Sequence, residues 1–540
     1  MKKMVLRCQS IAHLLEKATA KNVDRPLFIF EGERLSYAEV NRRVNKVANS
    51  LKGLGVKKGE KVGLMLPNGL EFPITWLAIA KLGAVMVPIN TKYQEHDLLY
   101  VINDSEASCM IIHQDFLPIL EKVKRKATEL MEVCVVGRAP RGFHSFDEMG
   151  RNASDQFTIE TIGEEDLLNI QYTSGTTGFS KGCMLTHRYW MLLGKLIHDF
   201  LGLKPDDVCM TAQPFYYMDP QWNVIMCIFA GIPLVIMPRF SVSNFWPTIK
   251  ENNVTVFYLL GTMPLYLLSR NVDELEKNHR VRAVVCSGIN PKFHETLEKR
   301  FNCPWREAFG MTETGIDLYV PFKDFECVGS GAMGLPVPSK EARVVDNEDN
   351  EVSSGEIGEL VVRGEPMMLG YWKKPEANED IFRGGWFHTG DLAYKDEKGS
   401  FHWVGRIKDM VRRSAENISA AEVEGVLALH EKVKLAAVIP VPDLLREEEV
   451  KAYLILKEGE NKETVPPREI IEFAKTKLAA FKVPRYIEYV DDLPKTPSEK
   501  VEKHKVIKAK DDLRLDSYDV ERGIWLTELV LEEIKKEEKS

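Results

Sequence analysis

Hydrophobic positions alternate between two spacings over the first half of the chain. The stretch YAEVNRRVNKVANSLKGLG, residues 37–55, repeats apolar residues at helical spacing, which predicts an amphipathic helix. Short apolar runs typical of buried strands recur after it: KVGLML, AVMVPIN, ASCMIIH, PLVIMP, VTVFYL and RAVVCSG. Because such runs between helices are typical of strands buried on both faces, the pattern predicts an α/β body with largely parallel sheets.

The pattern changes at about Lys340 to shorter alternating segments. Gly, Asn and Asp separate these segments within residues 340–364 and 385–406, which predicts antiparallel hairpins. A compact α+β unit is expected from about Asp409. Its helices are predicted within residues 419–430 and 467–481, and its strands within residues 434–441 and 450–456.

We therefore predict a large N-terminal domain over residues 1–407, a small domain over residues 408–505 and a helical extension over residues 506–540. In the extension, Leu526, Val530 and Ile534 fall four residues apart, which predicts an amphipathic helix. We expect it to pack on its own protein rather than on a membrane or a partner, because its polar face carries charges of both signs.

Composition bounds the class of protein. The 540 residues are 44% hydrophobic and 28% charged, which is typical of a globular protein with more than one domain. The net charge of −8, with Lys and Arg spread along the chain, argues against nucleic acid as the main partner.

The cellular setting is predicted from cysteines and apolar runs. Nine cysteines without a CxxC pair do not fit a complete disulfide framework, so we expect a reducing, cytoplasmic environment. The start of the chain lacks the pattern of a cleaved export signal. The longest apolar run, residues 224–238, is too short to span a bilayer and is interrupted by Gly231 and Pro233, so no integral membrane segment is expected.

One loop suggests chemistry. In YTSGTTGFSKGC, residues 172–183, glycines allow backbone N–H groups to converge, serines and threonines add hydroxyl donors, and Lys181 supplies a cation. The sum predicts an anion cradle for a polyphosphate. The loop is not a Walker motif, because Ser180 stands where that motif requires glycine. Taken alone, it could equally be a flexible turn.

Several further motifs accompany this loop in a fixed order: AFGMTET at 308–314, GELVVRG at 358–364, GWFHTGD at 385–391, GRIKDMV at 405–411 and PKTPSEKVEK at 494–503. Together they resemble the adenylate-forming superfamily, which includes acyl-CoA synthetases, luciferases and the adenylation domains of peptide synthetases. The resemblance covers the chain to about residue 505. It implies an AMP-binding N-terminal domain and a mobile C-terminal lid.

The resemblance also implies ATP, Mg²⁺ and CoA as cofactors. Phe309 offers a ring for adenine, Thr312 a hydroxyl for phosphate and Glu313 a carboxylate for Mg²⁺. The implied nucleotide-binding residues are Thr173, Ser174, Gly175, Thr176, Thr177, Gly178, Lys181, Gly288, Phe309, Gly310, Met311, Thr312, Asp391, Arg406 and Lys500. Without the resemblance, the aromatic ring and the glutamate would be read as structural, Asp391 as a turn residue and Arg406 as a solvated surface residue.

Lys500, Thr312 and Glu313 are the implied catalytic residues. In the family, a lysine at the Lys500 position neutralises charge while the substrate carboxylate attacks the α-phosphorus of ATP. Here Glu499 replaces the glycine that usually precedes this lysine. By itself, Lys500 would be interpreted as part of a solvated charge run.

The motifs also imply positions for CoA and for domain movement. Ala415 takes the position that lines the pantetheine tunnel, where acyl-CoA synthetases usually carry the second of two glycines, and Ser414 replaces the first. Lys408 in GRIKD stands at the usual hinge.

An aromatic segment is expected to border the pocket for the carboxylic acid. The segment PFYYMDPQW, residues 214–222, matches a family segment that borders the acyl group, so Tyr216, Tyr217, Asp219 and Gln221 are expected in the substrate pocket. This segment and RRSAENIS resemble the carnitine and crotonobetaine CoA ligases most, with short- and medium-chain acyl-CoA ligases close behind. The alternatives are core packing for the aromatic residues and a local backbone contact for Asp219.

We therefore expect an ATP-dependent carboxylate–CoA ligase that forms an acyl-adenylate and then a thioester. One alternative is an adenylating enzyme that passes the acyl group to another thiol or to an amine, which the departure at Ser414 and Ala415 keeps open. A second alternative is a catalytically silent nucleotide-binding protein. The expected partners are a small carboxylic acid, ATP and CoA, and no nucleic acid. A homodimer is one possible assembly.

Overall fold

The computed structural model describes residues 6, 8–173, 180–260, 263–272, 274–323, 326–413, 416–443, 446–495 and 501–537. No helix in these ranges is both long and apolar enough to cross a membrane.

Helices and strands alternate along the first part of the chain. In order, they are α1 (Ile11–Lys21), β1 (Pro26–Phe30), β2 (Glu33–Ser36), α2 (Tyr37–Gly53), β3 (Lys61–Met65), α3 (Glu71–Leu82), β4 (Val85–Pro88), α4 (Glu95–Ser105), β5 (Ala107–His113), α5 (Leu117–Val123), β6 (Glu132–Val136), β7 (His144–Ser145), α6 (Phe146–Asn152), β8 (Leu167–Thr173), β9 (Lys181–Thr186), α7 (His187–Leu201), β10 (Cys209–Thr211), α8 (Met218–Ala230), β11 (Leu234–Ile236), α9 (Phe245–Glu251), β12 (Val256–Leu260), α10 (Met263–Leu268), β13 (Ala283–Ser287), α11 (Pro291–Phe301), β14 (Trp305–Met311), β15 (Gly315–Tyr319) and β16 (Ala332–Pro336).

Strands dominate the remainder. They and the helices between them are β17 (Lys340–Val345), β18 (Gly358–Gly364), α12 (Pro375–Ile381), β19 (Phe387–Lys395), β20 (Phe401–Arg406), β21 (Met410–Arg413), β22 (Glu416–Ser419), α13 (Ala420–Leu427), β23 (Val433–Asp443), β24 (Glu447–Leu456), α14 (Pro467–Lys475), β25 (Tyr486–Tyr489), α15 (Lys503–Lys508), β26 (Tyr518–Asp519), β27 (Ile524–Trp525) and α16 (Glu528–Glu537).

The chain folds into two compact units. The larger contains the described residues up to Thr173, Ser180–Ala342 and Val362–Phe387, and the smaller contains Arg343–Val361 and the described residues from His388 onward. The predicted domain boundary between residues 407 and 408 stays a prediction.

Two sheets build the larger unit. Seven strands lie in the order β7-β6-β5-β3-β4-β8-β9, and nine others lie in the order β16-β15-β14-β13-β12-β10-β11-β1-β2. Most neighbours in both sheets are parallel, including β3 with β4 and β5, and β12 with β10 and β13. The α/β body with largely parallel sheets is therefore confirmed.

Local sequence signals explain where helices begin in this unit. Helix α2 starts with a capping box, in which the Ser36 hydroxyl accepts the Glu39 N–H and the Glu39 carboxylate accepts the Ser36 N–H. Helix α7, which directly follows β9, starts where the Thr186 hydroxyl accepts the Tyr189 N–H at 3.1 Å. The second cap fixes the start of α7 at the end of β9, the strand that carries Lys181.

The smaller unit is an α+β fold, as predicted. Its main sheet runs β22-β21-β24-β25-β26-β27, with β23 paired to β24, and the β19–β20 hairpin pairs Asp391 with Arg406. Helix α14 ends at Lys475, whereas the prediction extended to Phe481. At the observed end, the Thr476 hydroxyl donates to the Phe473 carbonyl at 2.7 Å.

The end of the chain packs onto this smaller unit. Helix α16 packs Leu531 and Ile534 against Val441 and Tyr486. Leu526 joins the same cluster but precedes the helix, which begins at Glu528, so the predicted helix started too early. Strands β26 and β27 extend the sheet from β25. The extension therefore contributes to the core of the unit that precedes it.

Candidate active site

A β-hairpin carries the two ends of the predicted phosphate loop. Thr173 ends β8 and Lys181 begins β9, and the two residues are partners in the strand register. The Thr173 hydroxyl donates to the Lys181 carbonyl at 3.4 Å. The predicted loop residues between them, Ser174, Gly175, Thr176, Thr177 and Gly178, lie outside the described residues.

A segment from later in the chain pairs with β9 and brings two more side chains to the Lys181 end. The Met184 N–H donates to the Gly370 carbonyl, and the Trp372 N–H to the Gly182 carbonyl. This pairing places the Tyr371 ring 4.8 Å from Lys181 Nζ, and the Tyr371 hydroxyl donates to Glu313 Oε1 at 2.8 Å. Lys181, Tyr371 and Glu313 thus form one cluster, which we call the cation–carboxylate cluster.

The hairpin of β14 and β15 presents the predicted adenine and metal residues. Phe309 pairs with Leu318 and Met311 with Gly315, so Thr312 and Glu313 lie in the turn. Gly310 is required here, because a Cβ at this position would lie 1.9 Å from the Gly315 carbonyl oxygen. Phe309 and Thr312 are half-buried, whereas Glu313 is only 7% exposed.

Contacts of buried side chains with its backbone stabilise the turn between β14 and β15. Lys340 pairs with Asp317, with both side chains fully buried, and donates to the Thr314 carbonyl. The Tyr189 hydroxyl donates to the Thr312 carbonyl at 2.8 Å. Removing one member of a buried ion pair typically costs about 3–5 kcal/mol, so the turn that carries Glu313 is held firmly.

Gly288 directly follows β13 and lies next to the half-buried Glu307. Its φ of +82° is in the left-handed region, and a Cβ there would meet no atom within 4 Å, so the space beside it is open. Glu307 Oε1 accepts the N–H of the adjacent Ile289 at 2.7 Å. Burial raises the pKa of Glu307 to about 8, against the opposing effect of backbone N–H donors at Ile289 and Gly288.

The raised pKa of Glu307 predicts a stability that falls with pH. Between its unfolded value near 4.5 and about 8, the folded state holds the proton and the unfolded state does not, so the free energy of unfolding decreases as pH rises. The group contributes at most about 1.4 kcal/mol per pH unit. Glu307→Gln is therefore expected to melt above wild type at pH 8–9, by an amount that disappears towards pH 5, in calorimetric scans across pH. An equal difference at all pH values would contradict the assignment.

The aromatic segment around the start of α8 contributes to two pairs of rings. The rings of Tyr216 and Tyr217 lie 4.7 Å apart, and Trp222 meets Tyr258 edge-on at 5.2 Å. Asp219 lies in the first turn of α8, where Trp222 Nε1 donates to its Oδ1 at 3.4 Å. Burial, followed by the charge of Asp219, raises the pKa of Tyr258 well above its usual value.

Gln221 in α8 contacts the backbone of the same segment. It is fully buried, and its amide donates to the Phe215 carbonyl at 2.9 Å and to the Tyr217 carbonyl at 3.0 Å. Its Oε1 accepts from Asn169 at 2.8 Å. The side chain therefore fixes the backbone of the aromatic segment from the protein interior.

In the smaller unit, Asp391 and Arg406 are adjacent. Asp391 is only 2% exposed and lies within β19, which continues beyond it to Lys395 because it pairs with β20. Its Oδ1 accepts from Arg406 Nε at 3.2 Å and from Trp403 Nε1 at 3.0 Å. These two donors keep the carboxylate oriented.

The remaining predicted residues fall at the limits of what the structure describes. Ala415 and Lys500 lie outside the described residues. Lys408 lies in the short 3₁₀ helix Ile407–Asp409, and its side chain is not among those described.

Two contributors were missed by sequence reasoning. Tyr371 contacts both Lys181 and Glu313, and Trp403 donates to Asp391 although the residue is 44% exposed. No local pattern indicates Tyr371, because strand pairing between distant segments brings it to the cluster. A tryptophan three residues before Arg406 in a predicted hairpin could have indicated Trp403.

Comparison with known proteins agrees with these features. Residues 15–372 match the AMP-binding enzyme family, and residues 422–500 match the AMP-binding enzyme C-terminal domain. The chain is 31% identical over 496 residues to a crotonobetaine/carnitine–CoA ligase of Salmonella heidelberg, covering 88% of this chain and 95% of that protein.

Solved structures give the same result. The anthranilate CoA ligase AuaEII with anthranoyl-AMP superposes with a TM-score of 0.86 at 30% identity, covering 94% of this chain and 99% of that one. ATP-bound MatB from Rhodopseudomonas palustris superposes with a TM-score of 0.82 at 28% identity, covering 93% and 99%. The predicted resemblance is confirmed, and the chain belongs to the AMP-binding enzyme family.

Proposed function

We propose that the protein is an ATP-dependent carboxylate–CoA ligase. In the first step, a carboxylate oxygen attacks the α-phosphorus of ATP. The bond between the α-phosphorus and the oxygen that bridges to the β-phosphorus breaks, so acyl-adenylate and pyrophosphate form. In the second step, the CoA thiol attacks the acyl carbon, loses its proton and displaces AMP. The observation that carries the proposal is the cation–carboxylate cluster at the foot of the phosphate loop, in a chain whose relatives are CoA ligases.

The chemistry of Glu313 fits Mg²⁺. No group of three or more His, Cys, Asp or Glu in the described ranges could hold a metal alone. Mg²⁺ typically binds through one or two carboxylates together with substrate phosphates, and a single oriented glutamate fits that mode of coordination. When bound, the ion would neutralise charge on the polyphosphate. Glu313 is the residue we propose to hold it, beside a hydroxyl from Thr312.

We propose the following roles for the other residues. Thr173, Lys181 and the loop between them bind phosphate oxygens, and Phe309, Gly310, Met311 and Gly288 border the adenine. Asp391 and Arg406 bind the ribose hydroxyls. Lys500 stabilises charge at the α-phosphorus, Ala415 lines the CoA tunnel and Lys408 is the hinge of the lid over residues 408–505.

The first test is a panel of carboxylic acids assayed by acid-dependent exchange of pyrophosphate into ATP. The proposal expects exchange with at least one acid and without CoA, because adenylation precedes the thiol step. ATP binding without exchange for any acid would favour the silent nucleotide-binding protein. Cytoplasmic location and a homodimer are retained as predictions.

The acid is proposed to carry a quaternary ammonium group. Asp219 is half-buried beside Trp222 and close in the chain to Tyr216 and Tyr217, and a trimethylammonium group would add Coulomb attraction to its carboxylate and cation–π contacts with the rings worth roughly 0.5–2 kcal/mol. The relative from Salmonella heidelberg is named for such acids.

Asp219→Asn tests this assignment. Wild type is expected to prefer crotonobetaine over its carbon isostere, in which a tert-butyl group replaces the trimethylammonium group. The variant should reduce the ratio of the two kcat/KM values by about 10- to 100-fold, because the ring contacts remain and the charge is lost. Asp380→Asn, at a side chain that is 85% exposed, is the control. A wild type that prefers the neutral acid, or an unchanged ratio in Asp219→Asn, would refute the betaine assignment.

A further inference from the structure

Tyr371 is the central member of the cation–carboxylate cluster. Its hydroxyl donates to Glu313 Oε1 at 2.8 Å, and Lys181 Nζ lies over its ring at 4.8 Å. The side chain is 6% exposed. One tyrosine therefore touches both the lysine proposed for phosphate and the carboxylate proposed for Mg²⁺.

The backbone of Tyr371 is fixed on both sides. Its N–H donates to Asn378 Oδ1 at 2.7 Å, and Asn378 Nδ2 donates to its carbonyl at 3.1 Å. Pairing with Cys183 on β9 sets its position along the strand. Because these bonds belong to the scaffold, the tyrosine can act as a rigid support for mobile charged side chains.

We propose that Tyr371 is a positioning residue for the Mg²⁺–ATP complex. This inference rests on the proposed function and deepens it. The hydroxyl orients the Glu313 carboxylate towards the metal, and the ring orients the Lys181 ammonium towards the phosphates.

The two contacts suit different needs. Mg²⁺ demands near-ideal octahedral geometry, so a carboxylate held by a hydrogen bond binds it better than one that must be ordered on binding. A lysine needs its full charge for phosphate. An aromatic ring attracts the ammonium without neutralising it, whereas a carboxylate partner would compete with the ligand.

Two substitutions separate the contacts. Tyr371→Phe removes the hydroxyl and keeps the ring, while Tyr371→Leu removes both. Tyr37→Phe is the matched control, because it also deletes a hydrogen bond from a buried tyrosine hydroxyl, here to the Cys227 carbonyl at 2.9 Å and away from the cluster. The readout is calorimetric titration with a non-hydrolysable ATP analogue, with and without Mg²⁺.

Tyr371→Phe should leave Mg²⁺-free binding of the analogue unchanged and reduce the affinity gained from Mg²⁺ by about 10- to 100-fold. Tyr371→Leu should also weaken Mg²⁺-free binding, and Tyr37→Phe should change neither. If Tyr371→Phe does not fold, Asn378→Ala, which frees the Tyr371 backbone and keeps the hydroxyl, should show a smaller loss of the same Mg²⁺ gain.

The inference is overturned if the Mg²⁺ gain is unchanged in the folded variants, or if Tyr371→Phe weakens binding equally with and without Mg²⁺. Acid-dependent pyrophosphate exchange by wild type is measured in parallel. Absence of exchange refutes the proposed function, whereas exchange with an unchanged Mg²⁺ gain refutes only the role of Tyr371.

Discussion

Replacing Lys500 with alanine is expected to slow acyl-adenylate formation by roughly 10² to 10³. The motif PKTPSEKVEK implies that its cation stabilises charge that builds at the α-phosphorus. Thioester formation from preformed acyl-adenylate has no such charge at phosphorus to stabilise, so that step should change little. Single-turnover kinetics of each half-reaction measure the two effects separately.

The control for Lys500 is another lysine close by in the chain. Lys505 is 56% exposed and pairs with Glu502 at 2.7 Å, so Lys505→Ala should leave both half-reactions near wild type. Equal losses in both steps of Lys500→Ala would mean that the residue supports the fold or the lid rather than the adenylation step.

Lys408→Pro should do the reverse, sparing adenylation and slowing the thiol step by on the order of 10²-fold. Residues 407–409 form a single 3₁₀ turn, and a hinge at this position must change backbone angles between the two steps. Proline fixes φ and also restricts the residue before it. Rates of acyl-adenylate formation and of its consumption by CoA, measured by rapid quench, test the prediction.

Lys408→Ala is the matched comparison, because it removes the same side chain and leaves the backbone free. Lys408→Ala should keep the rate of the thiol step within a few-fold of wild type, which is a much smaller loss than the one expected for Lys408→Pro. Normal CoA ligation by Lys408→Pro would remove Lys408 from the hinge.

The fold followed from patterns that are local in the chain. The helical spacing before Gly53 and the apolar runs of β3, β5 and β13 specify elements by themselves, since burial on one or both faces fixes their periodicity. The end of α14 was predicted too late, because the periodicity continues past Thr476, whose N–H and hydroxyl both bond the Phe473 carbonyl where the helix ends.

The site could be predicted only where single motifs contain it. Phe309 and Glu313 lie four residues apart in one short motif, so their proximity in one hairpin could be predicted from the sequence. Tyr371 reaches Glu313 through pairing with β9, and the burial of Gln221 depends on Asn169 and other distant partners. Such contacts depend on tertiary packing, which periodicity does not encode.

CoA is expected to accept the acyl group, and quantifying both products of one reaction tests this. With the preferred acid, ATP and Mg²⁺, AMP and thioester are quantified together in the presence and absence of CoA. We expect rapid turnover only with CoA, with one acyl-CoA formed for each AMP released. AMP release at the same rate without CoA, or ADP as the nucleotide product, would contradict a carboxylate–CoA ligase.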